Sequence, residues 1–511
     1  MKKFIQLVVV AIVGTTGNIY AQSGVYAGDA LRFSRTDYGS SARFKGLGGA
    51  QISLGGDISS IGGNPAGLGM FTRSEFSVTP EFNNIQSNAN FLNQNTKSTK
   101  NQLNLNQAAV VWYSPVVKPK GSDLNKGVLS FVWGLGYNRN NDFYANYDYS
   151  GRNSSSSIAN SFAERANGYT SDNLDPTSAA AYQGYLIDNT ARGNTTYKPL
   201  TTAANTQTQS EIRQGSTSEF NFAGGMNISN KLYFGASIGF VDVRYTSDKL
   251  YTESGTVTAS ILPELPSTGN PTPSAPPAIG ETYDAAYRTY QSTSGSGINA
   301  RLGMIYKPID VVRIGATFQS PTWMNVDDNY SEILDTRFSG GNAFSGNQIN
   351  YDVSYNLRTP YKGSLGASVI IAKNALLSAD VDYVDYSTTK FSESNGYTGI
   401  VADNNAYIRE FYTHAFNYRV GGEYRIDQFS LRAGYGVNGS PMKNDDDNVF
   451  KVKSYSGGIG YRFTAFYLDA AYQRTETTNT FSPYELNDYS EPIATSKVKR
   501  NNIFLTLGVK F

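Results

Sequence analysis

The last fifteen residues, KVKRNNIFLTLGVKF, limit the fold more than any other stretch. Ile503, Leu505, Leu507, Val509 and Phe511 are apolar, and they alternate with Asn502, Thr506, Gly508 and Lys510. Period-two alternation puts one set on each face of a strand. A soluble sandwich strand carries the same pattern. Ending on an aromatic at the close of such a strand is less ordinary, and it recurs on the last strand of outer-membrane barrels. A strand facing lipid must pair all its backbone groups, which requires a closed sheet.

The other end reads as a secretory leader. Lys2 and Lys3 precede an apolar run over 4–13, then Ile19-Tyr20-Ala21, so cleavage is expected after Ala21. The run is too short to span as a helix, and no later stretch approaches about 20 apolar residues. The chain has no cysteine, which excludes a lipoprotein anchor, disulfides and a thiolate metal site. A mean hydropathy of −0.39 looks soluble. Barrels share that value, because half of each strand faces a polar lumen. A net charge of +1 gives no reason to expect nucleic acid. The 37 Tyr, 27 Phe and 50 Gly are unusual, and such aromatic enrichment suits interfacial girdles better than a secreted sandwich.

Residues 22–72 lack strand character and are dense in glycine: GLGGAQISLGGDISSIGGNPAGLGMF. From 73 onward, about 14 alternating segments follow. They are expected near 73–82, 107–117, 127–149, 217–228, 232–249, 294–306, 311–323, 348–371, 375–391, 411–426, 429–437, 451–463, 466–481 and 496–511. Tight connections such as Asn230-Lys231, Lys373-Asn374 and Asp427-Gln428 alternate with long polar loops. That sorting marks an outer-membrane barrel with its short turns toward the periplasm. The longest loops are 151–215, with room for helices at 161–165 and 177–188, and 253–292, which is proline-rich. The expected architecture is all-β: a transmembrane antiparallel barrel of about 14 strands, residues 73–511, with 22–72 as a plug and 1–21 as leader.

Parity assigns Phe416, Tyr418, Tyr424, Leu431, Ile459 and Leu468 to the lipid face. Arg419, Glu423, Arg425, Arg432, Arg462 and Asp469 fall on the lumen face, near the short turns. Mixed charges inside a barrel need partners. Two readings stand: a mutually paired wall, or a ring that grips the plug.

Asn64-Pro65-Ala66-Gly67-Leu68, spaced from Gly48-Gly49-Ala50 through Asp57-Ile58-Ser59-Ser60, resembles the hatch of the FadL/TodX family of outer-membrane transport proteins. GATFQSP at 315–321, PYKGSLGASV at 360–369, DVDYVDYS at 380–387, RAGYGVNGSP at 432–441 and GGIGYRFTAFYLDAAY at 457–472 resemble its barrel segments. The resemblance implies a 14-stranded barrel plugged by a hatch. It also implies passive uptake of hydrophobic compounds such as long-chain fatty acids or aromatic hydrocarbons, released sideways beside a kinked third strand. It puts residues 64–68 at the gate. The third strand here holds Gly134 and Gly136, where glycine permits a kink or simply close packing. The long 151–215 and 253–292 loops depart from the simplest family pattern.

Chemistry of other kinds is sparse. His414, the single histidine, shares the parity of Phe416 and reads as a girdle residue. A phospholipase needs His with a nearby Ser, and no such pattern surrounds it. No enzyme activity and no cofactor are expected. The partners expected are a hydrophobic small molecule and outer-membrane lipid, with a monomeric barrel and no nucleic acid. The rival readings are a shuttle of type IX protein secretion and a receptor for haem or another lipophilic ligand.

Overall fold

The computed structural model describes residues 23–35, 37–191, 193–201, 204–260, 276–395, 398–445 and 448–511. The expected leader lies outside them. The outer wall and its additions comprise β1 (Glu75–Phe91), β2 (Gln94–Pro115), β3 (Val128–Asp142), β4 (Ala145–Asn153), β5 (Ile187–Asn189), β6 (Tyr197–Pro199), β7 (Asn205–Ile228), β8 (Leu232–Thr256) and β9 (Thr282–Ile309). They continue with β10 (Val312–Gln319), β11 (Trp323–Phe338), β12 (Ala343–Ser345), β13 (Ile349–Arg358), β14 (Lys362–Ile371), β15 (Ala375–Asp385), β16 (Lys390–Asn395), β17 (His414–Ile426), β18 (Phe429–Asn438), β19 (Val452–Arg462), β20 (Phe466–Phe481) and β21 (Ala494–Lys510). Helices are α1 (Ser23–Ser34), α2 (Ala42–Gly46), α3 (Ile158–Ala166), α4 (Pro176–Gln183) and α5 (Thr398–Phe411).

Each wall strand pairs antiparallel with the next, and β21 returns to β1 in a single register from Glu75↔Lys510 to Asn90↔Thr495, interrupted at Thr79-Pro80. The result is a closed barrel of 14 strands. Besides the third strand, three of them are split: β10 and β11, β14 and β13, and β15 and β16 are lower and upper halves of single wall strands. The first two splits fall at Pro321 and Pro360, which cannot donate to a ladder.

Outward side chains define the bilayer band. On β8 they are Phe234, Ala236, Ile238 and Phe240, then Asp242 and Arg244. On β9 they are Ile298, Ala300, Leu302, Met304 and Tyr306, with Ser292, Ser294 and Ser296 above. Such a band of about 9–11 residues per strand is what a bilayer needs. Phe416, Tyr418, Tyr424, Leu431, Ile459 and Leu468 are exposed on this band, and Arg419, Glu423, Arg432 and Asp469 are buried inside it. His414 stacks on Tyr383 in the outer aromatic girdle.

Above the band the wall is taller than the alternation suggests. β1 and β2 meet in a hairpin at Leu92-Asn93, whose φ values of 49° and 64° make the left-handed pair of a type I′ turn. Ser229-Asn230 and Ala372-Lys373 repeat that geometry on the periplasmic side. β7, β8 and β9 run for 24, 25 and 28 residues, well past the expected 217–228, 232–249 and 294–306. Residues 253–256 and 282–292 of the expected 253–292 loop are therefore strand. The 151–215 loop holds the end of β4, α3, α4, the β5–β6 pair and the start of β7, and its helices fold over the extracellular mouth against Tyr251, Tyr283, Leu334 and Tyr484.

Candidate functional site

Residues 37–72 fill the lower lumen. Asn64 caps the 3-10 turn Pro65–Met70, accepting from Ala66 N at 3.1 Å. Its Nδ2 donates to Ile52 O at 2.6 Å and to Met304 O of β9 at 3.3 Å. One side chain thus ties two plug turns to the wall. Pro65 takes the first turn position, where its missing N–H costs nothing. Ala66 packs on Tyr233 and Ile305, and Leu68 on Ile58, Ile61, Val111 and Val132. Gly67 faces Ser60 and Gly55 within the plug, not the wall.

Close approach to the wall comes from glycines on the wall itself. A methyl on Gly225 would lie 2.7 Å from Leu68 Cβ and 2.8 Å from Gly69 N. Methyls on Gly235, Gly303, Gly315, Gly421 and Gly434 would collide with Pro65, Asn64, Ile52, Leu47 and Gly48 in turn. Inward glycines on β7, β8, β9, β10, β17 and β18 thus form a belt on which plug backbone lies directly against wall backbone. Where the belt thins the wall, its lipid side is an apolar depression of about 1080 Å³, lined by Phe131, Trp133, Phe222 and Phe234 among others. That depression faces the bilayer and is separate from the lumen.

The charged ring is one network with the plug. Glu423 accepts from Arg43 of α2 at 3.0 Å, from Arg432 at 2.7 Å and from Arg425 at 2.7 Å. Arg432 and Arg462 both reach Asp469, at 2.7 and 2.8 Å. Arg419 pairs with Asp382. Asp380 accepts the backbone N–H groups of Gln51 and Ile52 at 2.6 and 2.9 Å. Every buried charge in this set has a partner, as burial demands.

The third strand breaks, but not at its glycines. Gly134 and Gly136 sit in regular pairing with Val111 and Ala109 of β2 and with Ala223 and Asn221 of β7. Their missing side chains make room for Ile61 of the plug. The register slips instead at Arg139/Asn141, and pairing with β2 ends at Gln107↔Asn138. Beyond Asp142 the chain turns inward. β4 keeps its ladder to β7, but its Ala145, Tyr147 and Tyr149 pack on inner-face residues Ile85, Ala89, Val498 and Ala494 of β1 and β21. The upper half of β2 is left without a ladder on that side, flanked outside by Leu103 (73% exposed) and Leu105. Asp142 spans the gap, accepting from Asn83 at 2.9 Å and Asn104 at 2.7 Å, with Arg139 at 3.5 Å and Arg500 at 3.8 Å. Ser98 Oγ donates to Asn146 O at 3.0 Å. A polar cavity of about 330 Å³ lies behind, lined by Arg35, Lys45, Glu81, Asn141 and Asp142 among others. The sequence held a signal: NRNND at 138–142 interrupts the apolar alternation of β3.

Above the plug lies an apolar chamber. Val243, Met324, Val326, Tyr355 and Phe391 belong to it, and α1 fills it with Tyr26, Ala30, Leu31 and Phe33. Tyr26 meets Tyr355 edge-on at 5.2 Å, and Phe33 packs on Phe143, at the break, at 5.9 Å. Gln291 donates to Asp29 at 2.7 Å and to Asp328 at 3.0 Å. Outward neighbours of Asp328 on β11 are Asn325, Asp327 and Asn329, so this level lies above the bilayer band. Burial, then the nearby Asp29, pushes the Asp328 carboxyl up to about 6. Burial raises Asp29 as well, against the pull of Arg32. The helix was not anticipated, because DALRF in a glycine-rich stretch gives little periodicity.

A family model of outer membrane protein transport proteins (OMPP1/FadL/TodX) matches residues 189–510, well over half of the chain. Among solved structures, a Pseudomonas aeruginosa FadL homologue aligns over 93% of this chain and 98% of its own, with 13% identity and a TM-score of 0.51. The P. putida toluene transporter TodX aligns over 93% and 99%, with 13% identity and a TM-score of 0.53. A deletion mutant of the TodX monoaromatic hydrocarbon channel gives 14% identity, 93% and 99% coverage and a TM-score of 0.52. At such identities the likeness is one of fold. No curated protein matches the sequence.

Proposed function

The chain belongs to the OMPP1/FadL/TodX family of outer membrane transport proteins, and from that premise we propose that it takes up hydrophobic small molecules, of the long-chain fatty acid or aromatic hydrocarbon type, by passive diffusion with a gated hatch and sideways release into the bilayer. The observation that carries the reading is the break after Asp142. There the wall loses its ladder beside Leu103 and Leu105, with lipid outside and, inside, the polar cavity that meets the apolar chamber at Phe143 and Tyr245. A hydrophobic molecule gains nothing by continuing into the aqueous periplasm, since burying apolar surface in lipid is favourable by about 25 cal/mol per Å². The plug, seated on the glycine belt and the Glu423 ring, closes the straight aqueous path.

Gating assigns residues 64–68 to the plug's seat, with Asn64 as its tie to β9. The test is reconstitution in lipid vesicles. Uptake of radiolabelled toluene and of a long-chain fatty acid is measured beside leakage of a small sugar. The parent protein should pass at least one of the hydrophobic compounds and retain the sugar. Asn64→Ala should raise sugar leakage or cut hydrophobic uptake at equal folded amounts. Parent vesicles that pass neither compound faster than protein-free ones would end the transport reading.

A further inference from the structure

The lipid side of the wall is not uniform. Above the periplasmic turns that join β2 to β3, β7 to β8 and β9 to β10 it sinks into the apolar depression of about 1080 Å³. The floor is made of small outward-facing residues, Gly224, Ala236, Ala316 and Gly363. Aromatic rings stand around it: Phe131, Trp133, Phe222, Phe234 and Phe318, each 39–50% exposed. A methyl on Gly224 would lie 3.0 Å from the Trp133 ring, which stacks on Phe222 with ring centres 6.2 Å apart. Small-molecule sites measure about 300–1,000 Å³, so this is a pocket and not surface roughness. A hollow on a bilayer-facing wall fills from the bilayer, and an apolar lining favours an acyl chain over any polar occupant.

The lower rim of the depression is cationic. Phe131, Met226 and Phe234 line its lower edge, each within four residues of a periplasmic turn. These turns are tied together. Gly127 N donates to Ser229 Oγ at 2.9 Å, Ser229 N to Gly127 O at 2.9 Å, and Lys307 N to Lys231 O at 2.7 Å. Lys118, Lys120, Lys126, Lys231 and Lys307 are thereby gathered on one stretch of the rim. Two carboxylates answer them: Asp123 lies 3.5 Å from Lys126, and Asp310 lies 3.0 Å from Lys307. Among the described residues, no carboxylate lies within ion-pair distance of Lys118, Lys120 or Lys231. On the opposite side of the barrel the turns Asp427-Gln428 and Thr464-Ala465 carry no lysine at all. The 116–127 turn also presents Val117 and Leu124, 92% and 71% exposed, between its lysines. Apolar and cationic side chains mixed on one exposed turn at a membrane boundary suit the headgroup layer better than open water.

We propose that this face of the barrel binds a phospholipid of the periplasmic leaflet whose headgroup carries net negative charge, of the phosphatidylglycerol class. One acyl chain lies in the depression against Ala236 and Trp133, and the phosphate rests on the lysines of the 116–127 turn and on Lys231. The site is on the outer surface and is independent of any route through the lumen. A zwitterionic headgroup offers the same phosphate, but its own ammonium competes with the lysines. Each lysine at such a surface is worth about fivefold in binding of an anionic lipid, and salt screens the effect.

The three tryptophans provide the test. Trp112→Phe with Trp323→Phe leaves Trp133, inside the depression, as the sole reporter. Trp112→Phe with Trp133→Phe leaves Trp323 of β11, which faces lipid away from the depression. Each full-length protein is reconstituted in phosphatidylcholine vesicles, and quenching by a minor component of acyl-brominated phosphatidylglycerol is compared with quenching by the same share of brominated phosphatidylcholine. Trp133 should show an apparent affinity for the anionic lipid about fivefold or more above that for the zwitterionic one, falling toward equality in high salt. Trp323 should be quenched equally by both. Lys118→Gln, Lys120→Gln, Lys126→Gln and Lys231→Gln together should abolish the preference at Trp133 and leave quenching of Trp323 unchanged. Ala236→Phe, which fills the floor, should lower quenching of Trp133 by the anionic lipid with all lysines in place. Equal quenching of Trp133 by the two lipids would overturn the proposal, as would a preference of the same size at Trp323 or one that survives loss of the four lysines. Undiminished quenching in Ala236→Phe would remove the acyl chain from the depression. A brominated fatty acid that quenches Trp133 as strongly as the anionic phospholipid, with the same dependence on the lysines, would give the face to single-chain anions instead and end the phospholipid assignment.

Discussion

Glu423 shows what one residue does in this lumen. It serves Arg43 of the plug and Arg432 and Arg425 of the wall, and its side chain is 1% exposed. Removing one partner of a buried pair costs about 3–5 kcal/mol, because the other charge stays buried. Arg432 keeps Asp469, but the nearest other carboxylate to Arg43 is Asp57 at 4.0 Å. Glu423→Ala should therefore lower stability by about 3 kcal/mol, measured by urea unfolding in vesicles, and should free the plug before the wall. Glu423→Gln, which keeps an acceptor, should cost less. Unchanged unfolding midpoints would mean that the ring does not hold the plug. Gly235 tests the other half of the seat. Gly235→Val puts carbon where Pro65 and Ala66 lie, while the outward face of β8 is untouched. The barrel should still form, and sugar leakage should rise; a tight barrel would show that plug backbone need not reach the wall.

On the proposed route, two elements lie where the lumen could communicate with lipid: α1 and the β3–β4 segment. Seating α1 buries Asp29 beside Asp328. Arg32 and Tyr26 face these carboxyls from the helix, Thr293 from β9, Tyr245 from β8 and Tyr355 from β13. With its carboxyl at about 6 against the usual 3.8, Asp328 binds its proton more tightly when the helix is seated. Seating should thus be strongest near pH 4, weaken as pH rises to about 6, and change little above that. Asp328 alone accounts for about 3 kcal/mol if it is fully rehydrated on release, and Asp29, also raised by burial, acts in the same direction. Spin labels at Ser34→Cys and at Thr246→Cys of β8 should give a narrow distance distribution near pH 4 and a broader one at pH 7. A distribution unchanged with pH would show that the carboxyl pair does not govern α1. The β3–β4 segment is probed by joining Ser98 to Asn146 across the gap, where Ser98 Oγ and Asn146 O lie 3.0 Å apart. Ser98→Cys with Asn146→Cys, bridged by a short reversible reagent, should slow hydrophobic uptake several-fold and leave sugar retention intact. Uptake at the parental rate would place release elsewhere.

At the scale of the molecule, what the sequence reveals follows the bilayer. Alternation exists where one face meets lipid and the other a polar lumen, so β18, β20 and β21 lie within two residues of their expected ends. Above the band the outward face turns polar and the inward face mixes polar with apolar residues, so the pattern fades although the strands continue. That is why Asn83–Gln102 of the first hairpin and the tops of β7, β8 and β9 read as loops. Prolines split 311–323 and 348–371 where one strand each was expected, because a ladder bends around a missing donor. The glycine-rich, strandless character of the segment inside the lumen is legible, whereas the glycine belt facing it and the helix above it depend on pairings between distant segments. Closure is the property on which the rest depends, since an open seam would leave two lipid-exposed edges. The seam joins the first strand to the last, and Asn84 faces Asn501 across it, with Asn501 Nδ2 3.4 Å from Asn84 Oδ1. Asn84 also faces Asn101 across the first hairpin. Asn84→Cys with Asn501→Cys should crosslink under mild oxidation as readily as Asn84→Cys with Asn101→Cys, in outer-membrane preparations and without added partner protein. The seam crosslink links residues more than 400 positions apart, so it should also change mobility on a denaturing gel after boiling, which the hairpin crosslink barely does. A hairpin that crosslinks beside a seam that does not would mean that the two terminal strands lie apart, and the closed wall, with the plug it encloses, would have to be given up.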